Sequence, residues 1–220
     1  MPTLTLLAGP NGAGKTRYSE YLRKQGILKV NPLTVDFLVS AINEHYKSML
    51  DYDLMSEERY QVILSENFEK FCNKAISENK DFAFETNYRH PYTYIREIFV
   101  NANYDIDMIY IILDSIDQSQ ERVNYRVQQE KGNYVDKFSI QYNFKNGLEN
   151  LDNTFKEFKN LYIIDNSFDN YENKRNSRNL NIVFKASKGK ITEVSKDFPS
   201  SQLTQYLPVL SNIIDSVKSG

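Results

Sequence analysis

Apolar residues fall into short runs separated by longer stretches of helical spacing, the arrangement of a sheet covered by helices. Thr3 to Ala8 (TLTLLA) is a short, mostly apolar run ending at a glycine turn, as a buried strand does. A helix is expected to start within the glycine loop and run through Arg17 to Arg23. Ile27 to Asn31 (ILKVN) reads as a second short strand, Asp81 to Glu85 (DFAFE) as a third, and Leu161 to Ile164 (LYII) as a later one. Ile106 to Leu113 (IDMIYIIL) is the most hydrophobic stretch and is expected to be the central strand. Helices are expected over Phe37 to Leu50, Glu57 to Asn79, Tyr92 to Asn101, Gln118 to Glu130 and Tyr142 to Phe158.

Strands alternating with helices imply βαβ units. The expected fold is therefore α/β, a three-layer sandwich of the P-loop NTPase type, with a mostly parallel sheet and helices on both faces. Residues 1–169 form the nucleotide-binding part, with a lid helix at about 117–131. From Asn170 the character changes. Asn170 to Arg178 is a polar stretch, Asn181 to Val194 shows two strand-like runs around Lys188-Gly189, and Ser201 to Val217 fits a helix. Residues 170–220 are expected to be a hairpin and helix extending the same domain.

Composition narrows the class. The 220 residues are 40% hydrophobic and 25% charged, which suits a globular chain with a real core. A formal net charge of −2 gives no global positive field for a nucleic-acid backbone, so nucleic acid is not expected as a partner. No run approaches the roughly 20 apolar residues that cross a bilayer, and the first residues lack the pattern of a signal peptide. A cytoplasmic protein without membrane contact is expected. The single cysteine, Cys72, sits in a helical pattern and reads as a small buried residue.

One motif carries chemistry. Gly9-Pro10-Asn11-Gly12-Ala13-Gly14-Lys15-Thr16 matches G-x-x-x-x-G-K-[ST], directly after an apolar run and directly before a helical one. Glycines allow successive backbone N–H groups to face phosphate oxygens, and the helix that follows adds its positive end. Lys15 is expected to reach the β- and γ-phosphates of ATP, and the Thr16 hydroxyl to ligate Mg²⁺. The loop does not say what becomes of the γ-phosphate.

The other polar candidates lie at strand ends. Asp36 is the candidate base for an acceptor hydroxyl, or a cap for the helix that starts there. Glu85 with Thr86 could hold acceptor hydroxyls or Mg²⁺-bound water, or form a helix-entry turn. Asp114 follows four apolar residues, as a Mg²⁺-binding aspartate does, and could equally cap a helix. Arg122 and Arg126 are four residues apart and share a helix face. They suit a phosphate-facing lid, or a solvated face paired with Glu121 and Glu130.

Taken in order, LLAGPNGAGKT, FETN (Phe84 to Asn87), ERVNYRV (Glu121 to Val127), LENL (Leu148 to Leu151) and IIDNS (Ile163 to Ser167) resemble the blocks of the zeta-toxin-like P-loop kinases. The resemblance implies ATP-dependent phosphorylation of a hydroxyl on a small molecule, with UDP-N-acetylsugars the best-known acceptors. It makes Lys15 and Thr16 contacts of ATP and Mg²⁺, Asp36 the base, Glu85, Thr86 and Asn87 acceptor-side residues, and Arg122 and Arg126 γ-phosphate contacts. Zeta-type toxins are restrained by an antitoxin protein, so such a partner is one the resemblance allows. Three departures stand out. Lys131-Gly132-Asn133 replaces a GGH turn, Gln141 takes the place of an arginine for which Lys131 or Lys137 could stand in, and Thr34 takes the place of an asparagine before Asp36. A regulatory ATP-binding module is the alternative, though neither an LSGGQ-like segment nor a run ending in Asp-Glu occurs. A third is a member that binds nucleotide without chemistry.

Overall fold

The computed structural model describes residues 1–46, 57–129, 134–168 and 180–219. Six strands form one sheet. β1 (Thr3–Ala8), β2 (Phe82–Thr86), β3 (Asp105–Ile112), β4 (Asn160–Asp165), β5 (Ile182–Ser187) and β6 (Lys190–Val194) lie in the order β2-β1-β3-β4-β5-β6. The first four are parallel; β5 adds antiparallel to β4, and β6 antiparallel to β5. The sheet is mostly parallel, and β3 lies inside it between β1 and β4 with its second half wholly buried, as its hydrophobicity predicts.

Helices α1 (Lys15–Lys24), α2 (Val35–Tyr46) and α3 (Glu57–Ser77) connect β1 to β2. Helix α4 (Thr93–Asn101) leads from β2 to β3, and α5 (Ile116–Gln128) and α6 (Lys137–Thr154) lead from β3 to β4. The first connection moves one way along the sheet and the others move the opposite way. Right-handed crossovers therefore place the two sets of helices on opposite faces. Parallel pairing brings the carboxyl ends of β1 and β2 level, Ala8 beside Thr86, so the residues after both strands meet at one edge.

Several local boundaries differ from the sequence expectation. Ile27 to Asn31 is not a strand. Gly26 turns the chain at φ 69°, and the amides of Ile27 and Leu28 both donate to the Leu22 carbonyl, wrapping the segment around the end of α1. Only Leu33 reaches the sheet, as a single parallel bridge to Phe84. The sixth helix starts at Lys137 rather than Tyr142, because Asp136 caps it by accepting from the Ser139 amide at 2.9 Å. The C-terminal helix is two, α7 (Ser201–Thr204) and α8 (Pro208–Ser219), since Pro208 has no N–H to continue the first. The turn at Lys131-Gly132-Asn133, the end of the expected lid and the polar stretch Asn170 to Arg178 lie outside the described residues.

The hairpin of β5 and β6 extends the sheet beyond β4. Helix α8 packs on α6, and the segment before it is held by aromatic contacts: Tyr206 meets Phe144 of α6 edge-on at 5.8 Å, and Phe198 meets Phe184 of β5 at 6.0 Å. Asp152 of α6, almost wholly buried, accepts from the amides of Val209 (2.9 Å) and Leu210 (2.7 Å) at the start of α8. Among the described residues no helix is long and apolar enough to cross a membrane.

Candidate active site

The glycine loop bridges β1 and α1 and is fixed from four directions. Gly9 has φ 144°, and a Cβ there would stand 2.3 Å from the Ile111 carbonyl oxygen, so only glycine lets the loop leave β1 against β3. From α5, the buried Ser119 donates to the Asn11 carbonyl at 2.6 Å. From α6, Asn143 Nδ2 donates to Asn11 Oδ1 at 2.9 Å. From the end of β4, the buried Asn166 donates through Nδ2 to the Ala13 carbonyl at 2.8 Å, while its Oδ1 accepts from the Tyr18 hydroxyl at 2.9 Å. Sequence reasoning named none of Ser119, Asn143 and Asn166.

Lys15 spends its three donors close by. Its Nζ donates to the carbonyls of Gly9 (2.8 Å) and Pro10 (3.1 Å) and to Asn87 Oδ1 (3.0 Å). Burial is the largest influence on this ammonium; Glu85 attracts and supports its charge, the Arg126 charge opposes it, and the pKa falls to about 8. Thr16 Oγ1 donates to Glu85 Oε2 at 3.1 Å. The other oxygen, Glu85 Oε1, is buried and has no hydrogen-bond partner among the described residues. Burial raises the pKa of Glu85; Lys15 and the Thr16 hydrogen bond pull the other way, and the nearby Asp36 charge adds to the rise.

Asp36 is exposed in the first turn of α2. The side chain that caps this helix is Thr34, whose Oγ1 accepts from the Phe37 amide at 3.0 Å. The Leu33 bridge sets the location: the Leu33 amide donates to Ala83 O at 2.8 Å and its carbonyl accepts from Glu85 N at 2.9 Å, which carries Asp36 into the electrostatic reach of Glu85. Thr86 is buried, and its hydroxyl accepts from the Tyr88 amide at 2.9 Å, closing a turn. Asn87 lies on Lys15.

Two expected residues stand apart from this cluster. Asp114 Oδ1 accepts from the Ser200 hydroxyl at 2.6 Å, in the C-terminal segment, and it is Glu85 that meets Thr16. Arg122 is 5% exposed, and its Nη2 donates to the Asn166 carbonyl at 2.7 Å, with Ser167 O at 3.4 Å. Gln118, one turn earlier, donates to Ser167 O at 2.6 Å. Helix α5 is thus locked to the end of β4, and Arg126, a turn further on, is the arginine whose charge reaches Lys15.

The donor set suits Mg²⁺. That ion is usually held by one or two carboxylates together with substrate phosphates, keeping several waters. A hydroxyl and a carboxylate with an unmatched buried oxygen, beside the loop lysine, supply the protein share. Among the described residues no group of three or more His, Cys, Asp or Glu gathers as a closed metal cage.

A mostly parallel sheet, a glycine loop after its first strand and a polar cluster at the carboxyl ends of β1 and β2 define a protein of the P-loop class. The family model for zeta toxin matches residues 1–178, and the chain belongs to that family. Its members generally use ATP and Mg²⁺. No curated protein matches the chain by sequence. Among solved structures, the chain is similar to one from the PezAT chromosomal toxin-antitoxin system of Streptococcus pneumoniae, with TM-score 0.58 and 16% identity over 98% of this chain and 88% of that one. It is also similar to a chain of the AvrRxo1-ORF1:AvrRxo1-ORF2 structure with sulphate ions, with TM-score 0.59 and 13% identity over 94% of this chain and 63% of the other. At such identities the likeness is one of fold.

Proposed function

We propose that this chain transfers the γ-phosphate of ATP to a hydroxyl of a small molecule, with a nucleotide sugar as the first acceptor class to try. The observation that carries this reading is the meeting of Lys15, Thr16, Glu85 and Asp36 at one sheet edge. An exposed carboxylate beside the metal-side carboxylate suits a base for an acceptor hydroxyl, and the zeta toxin family favours such an acceptor over water.

In this reading Lys15 and the loop amides hold the β- and γ-phosphates, and Lys15 exchanges at least one present partner for a phosphate oxygen. Thr16 and Glu85 would hold Mg²⁺, which when bound neutralises charge on the phosphates. Asp36 accepts the proton of the acceptor hydroxyl as its oxygen bonds to the γ-phosphorus and the bond to the leaving ADP oxygen breaks. Arg126 supplies charge toward the transferring group. Arg122 supports it by fixing α5 to the end of β4 through Nη2, and its other guanidinium N–H groups are the ones that would face the γ-phosphate. Thr86 shapes the acceptor-side turn, and Asp114 belongs to the C-terminal tether rather than to the metal. Likeness to a chain from a toxin-antitoxin system supports an antitoxin protein as a partner to seek.

Incubation with γ-labelled ATP, Mg²⁺ and a metabolite extract tests this function. Label is expected in an organic phosphate ester, and its appearance should depend on Asp36. Label released only as inorganic phosphate, at a rate indifferent to the extract, would favour a regulatory ATPase and overturn the kinase reading.

A further inference from the structure

Gly147 sits in the interior of α6, where glycine costs about 0.5–1 kcal/mol relative to alanine. Close approach explains its presence. A Cβ at this position would stand 2.6 Å from the Asn87 carbonyl oxygen and 2.6 Å from the Tyr110 hydroxyl. The first of these is backbone, and the second belongs to a fully buried side chain of the central strand. Neither neighbour can swing aside as the tip of a flexible side chain would.

The turn that Gly147 touches is held by the same helix. Asn150 Nδ2 donates to the Tyr88 carbonyl at 2.9 Å, and the Tyr88 hydroxyl shares a 2.9 Å hydrogen bond with Thr154 Oγ1. Gly147, Asn150 and Thr154 are three and four residues apart and so line one face of α6. The Tyr88 amide is tied to Thr86 Oγ1, and Tyr88 adopts φ 55°. Asn87 is left little freedom between these restraints. Its side-chain oxygen takes one Lys15 donor; the other two go to carbonyls of the glycine loop itself.

We propose that Gly147 is a positioning residue for Lys15, acting through Asn87: the missing side chain lets α6 seat the β2–α4 turn so that Asn87 Oδ1 meets the ammonium. The proposal rests on Lys15 as the phosphate-binding lysine but not on phosphoryl transfer. It also gives Asn87 a duty toward the nucleotide loop in place of the acceptor contact expected from the sequence.

The test reads the Lys15 contact directly. At one fixed neutral pH, the side-chain Hε–Cε resonance of Lys15 can be followed by NMR of carbon-labelled lysine, with Lys15→Met identifying the signal. Asn87→Ala removes the oxygen that Lys15 meets and should shift this resonance. Gly147→Ala displaces the same oxygen and should shift it in the same direction by a comparable amount. Gly147→Ala added to Asn87→Ala should give no further shift, because both act on one contact. Should Gly147→Ala fail to fold, Asn150→Ala loosens the same turn and should shift the resonance the same way. An unmoved resonance in Gly147→Ala or Asn150→Ala, or a second full shift in the double variant, would overturn the proposal. Calorimetric binding of ADP with Mg²⁺ to the unaltered protein separately tests the nucleotide reading, whose failure would leave the NMR result standing.

Discussion

Thr16 Oγ1 donates to Glu85 Oε2 at 3.1 Å, joining the last residue of the glycine loop to the strand beside it. The contact follows from the parallel register of β1 and β2, which sets Leu7 beside Glu85 and Ala8 beside Thr86. Because Glu85 Oε1 is buried and unmatched, this carboxylate is the side chain best placed to hold Mg²⁺ with Thr16. Glu85→Gln keeps the shape but removes the charge. It should raise the Mg²⁺ concentration needed for tight ATP binding about tenfold or more, while binding of ATP without metal changes little. Titration calorimetry with and without Mg²⁺ checks this, and equal metal dependence in both proteins would reassign the site.

Lys15 makes ATP affinity depend on pH. Its pKa is lowered from 10.5 to about 8 in the folded protein. The ammonium predominates below that value and is lost as pH rises through it, so affinity should be level at neutral pH and weaken above pH 8, by at most about tenfold per unit. Stability runs the other way. Between pH 8 and 10.5 the unfolded chain holds the Lys15 proton more firmly than the folded one, so the destabilising share of Lys15 is full below pH 8 and relieved as pH rises to 10.5. Lys15→Met should therefore be more stable to urea than the unaltered protein at neutral pH, and should bind ATP poorly without the pH dependence above 8.

Asp36 is free of capping duty, which Thr34 performs. Asp36→Asn should leave ATP affinity unchanged and slow transfer to the acceptor about 10²–10⁴-fold, the usual worth of a positioned base. Rapid-quench measurement of a single turnover separates this from product release. Transfer at the unaltered rate would remove Asp36 from the reaction.

Much of this was legible in the chain because the signals were local. The apolar runs of β1 and β3, the glycine loop and the helical spacing of Arg122 and Arg126 all lie within short windows. Strand order does not. Glu85 and Asp114 both end apolar strands, and nothing nearby tells which one stands beside Thr16; the pairing of β2 with β1 decides it. Ser119, Asn143 and Asn166 act on loop residues more than a hundred positions away, through single hydrogen bonds that leave no periodic trace. The strand misread at Ile27 to Asn31 and the helix misread across Pro208 had local warnings, Gly26 and the proline itself.

Asn166 links the loop, α1 and α5, so the chemistry of its amide can be tested by replacement. Aspartate keeps the oxygen that accepts from Tyr18 but cannot donate to the Ala13 carbonyl, and it brings an acceptor against an acceptor. Asn166→Asp should weaken ATP binding more than Asn166→Ala does, because it adds repulsion and negative charge beside a phosphate site. Tyr18→Phe, which removes only the partner of the oxygen, should be the mildest of the three. Equal affinities across the set would show that the clamp does not shape the loop.

Asp152 tests whether the C-terminal segment can be loosened without touching the site. Its buried carboxylate serves the first amides of α8, groups that have no partner inside their own helix. Asp152→Ala leaves those donors unmatched in a buried place and should cost about 1–3 kcal/mol. For a chain of this size each kcal/mol lowers Tm by about 2–4 °C. The loss should appear in thermal unfolding while ATP affinity is kept, because Asp152 and the loop share no hydrogen bond. A fall in affinity in step with Tm would mean that α8 and the nucleotide site fold as one cooperative unit, with α6 as the connection between them.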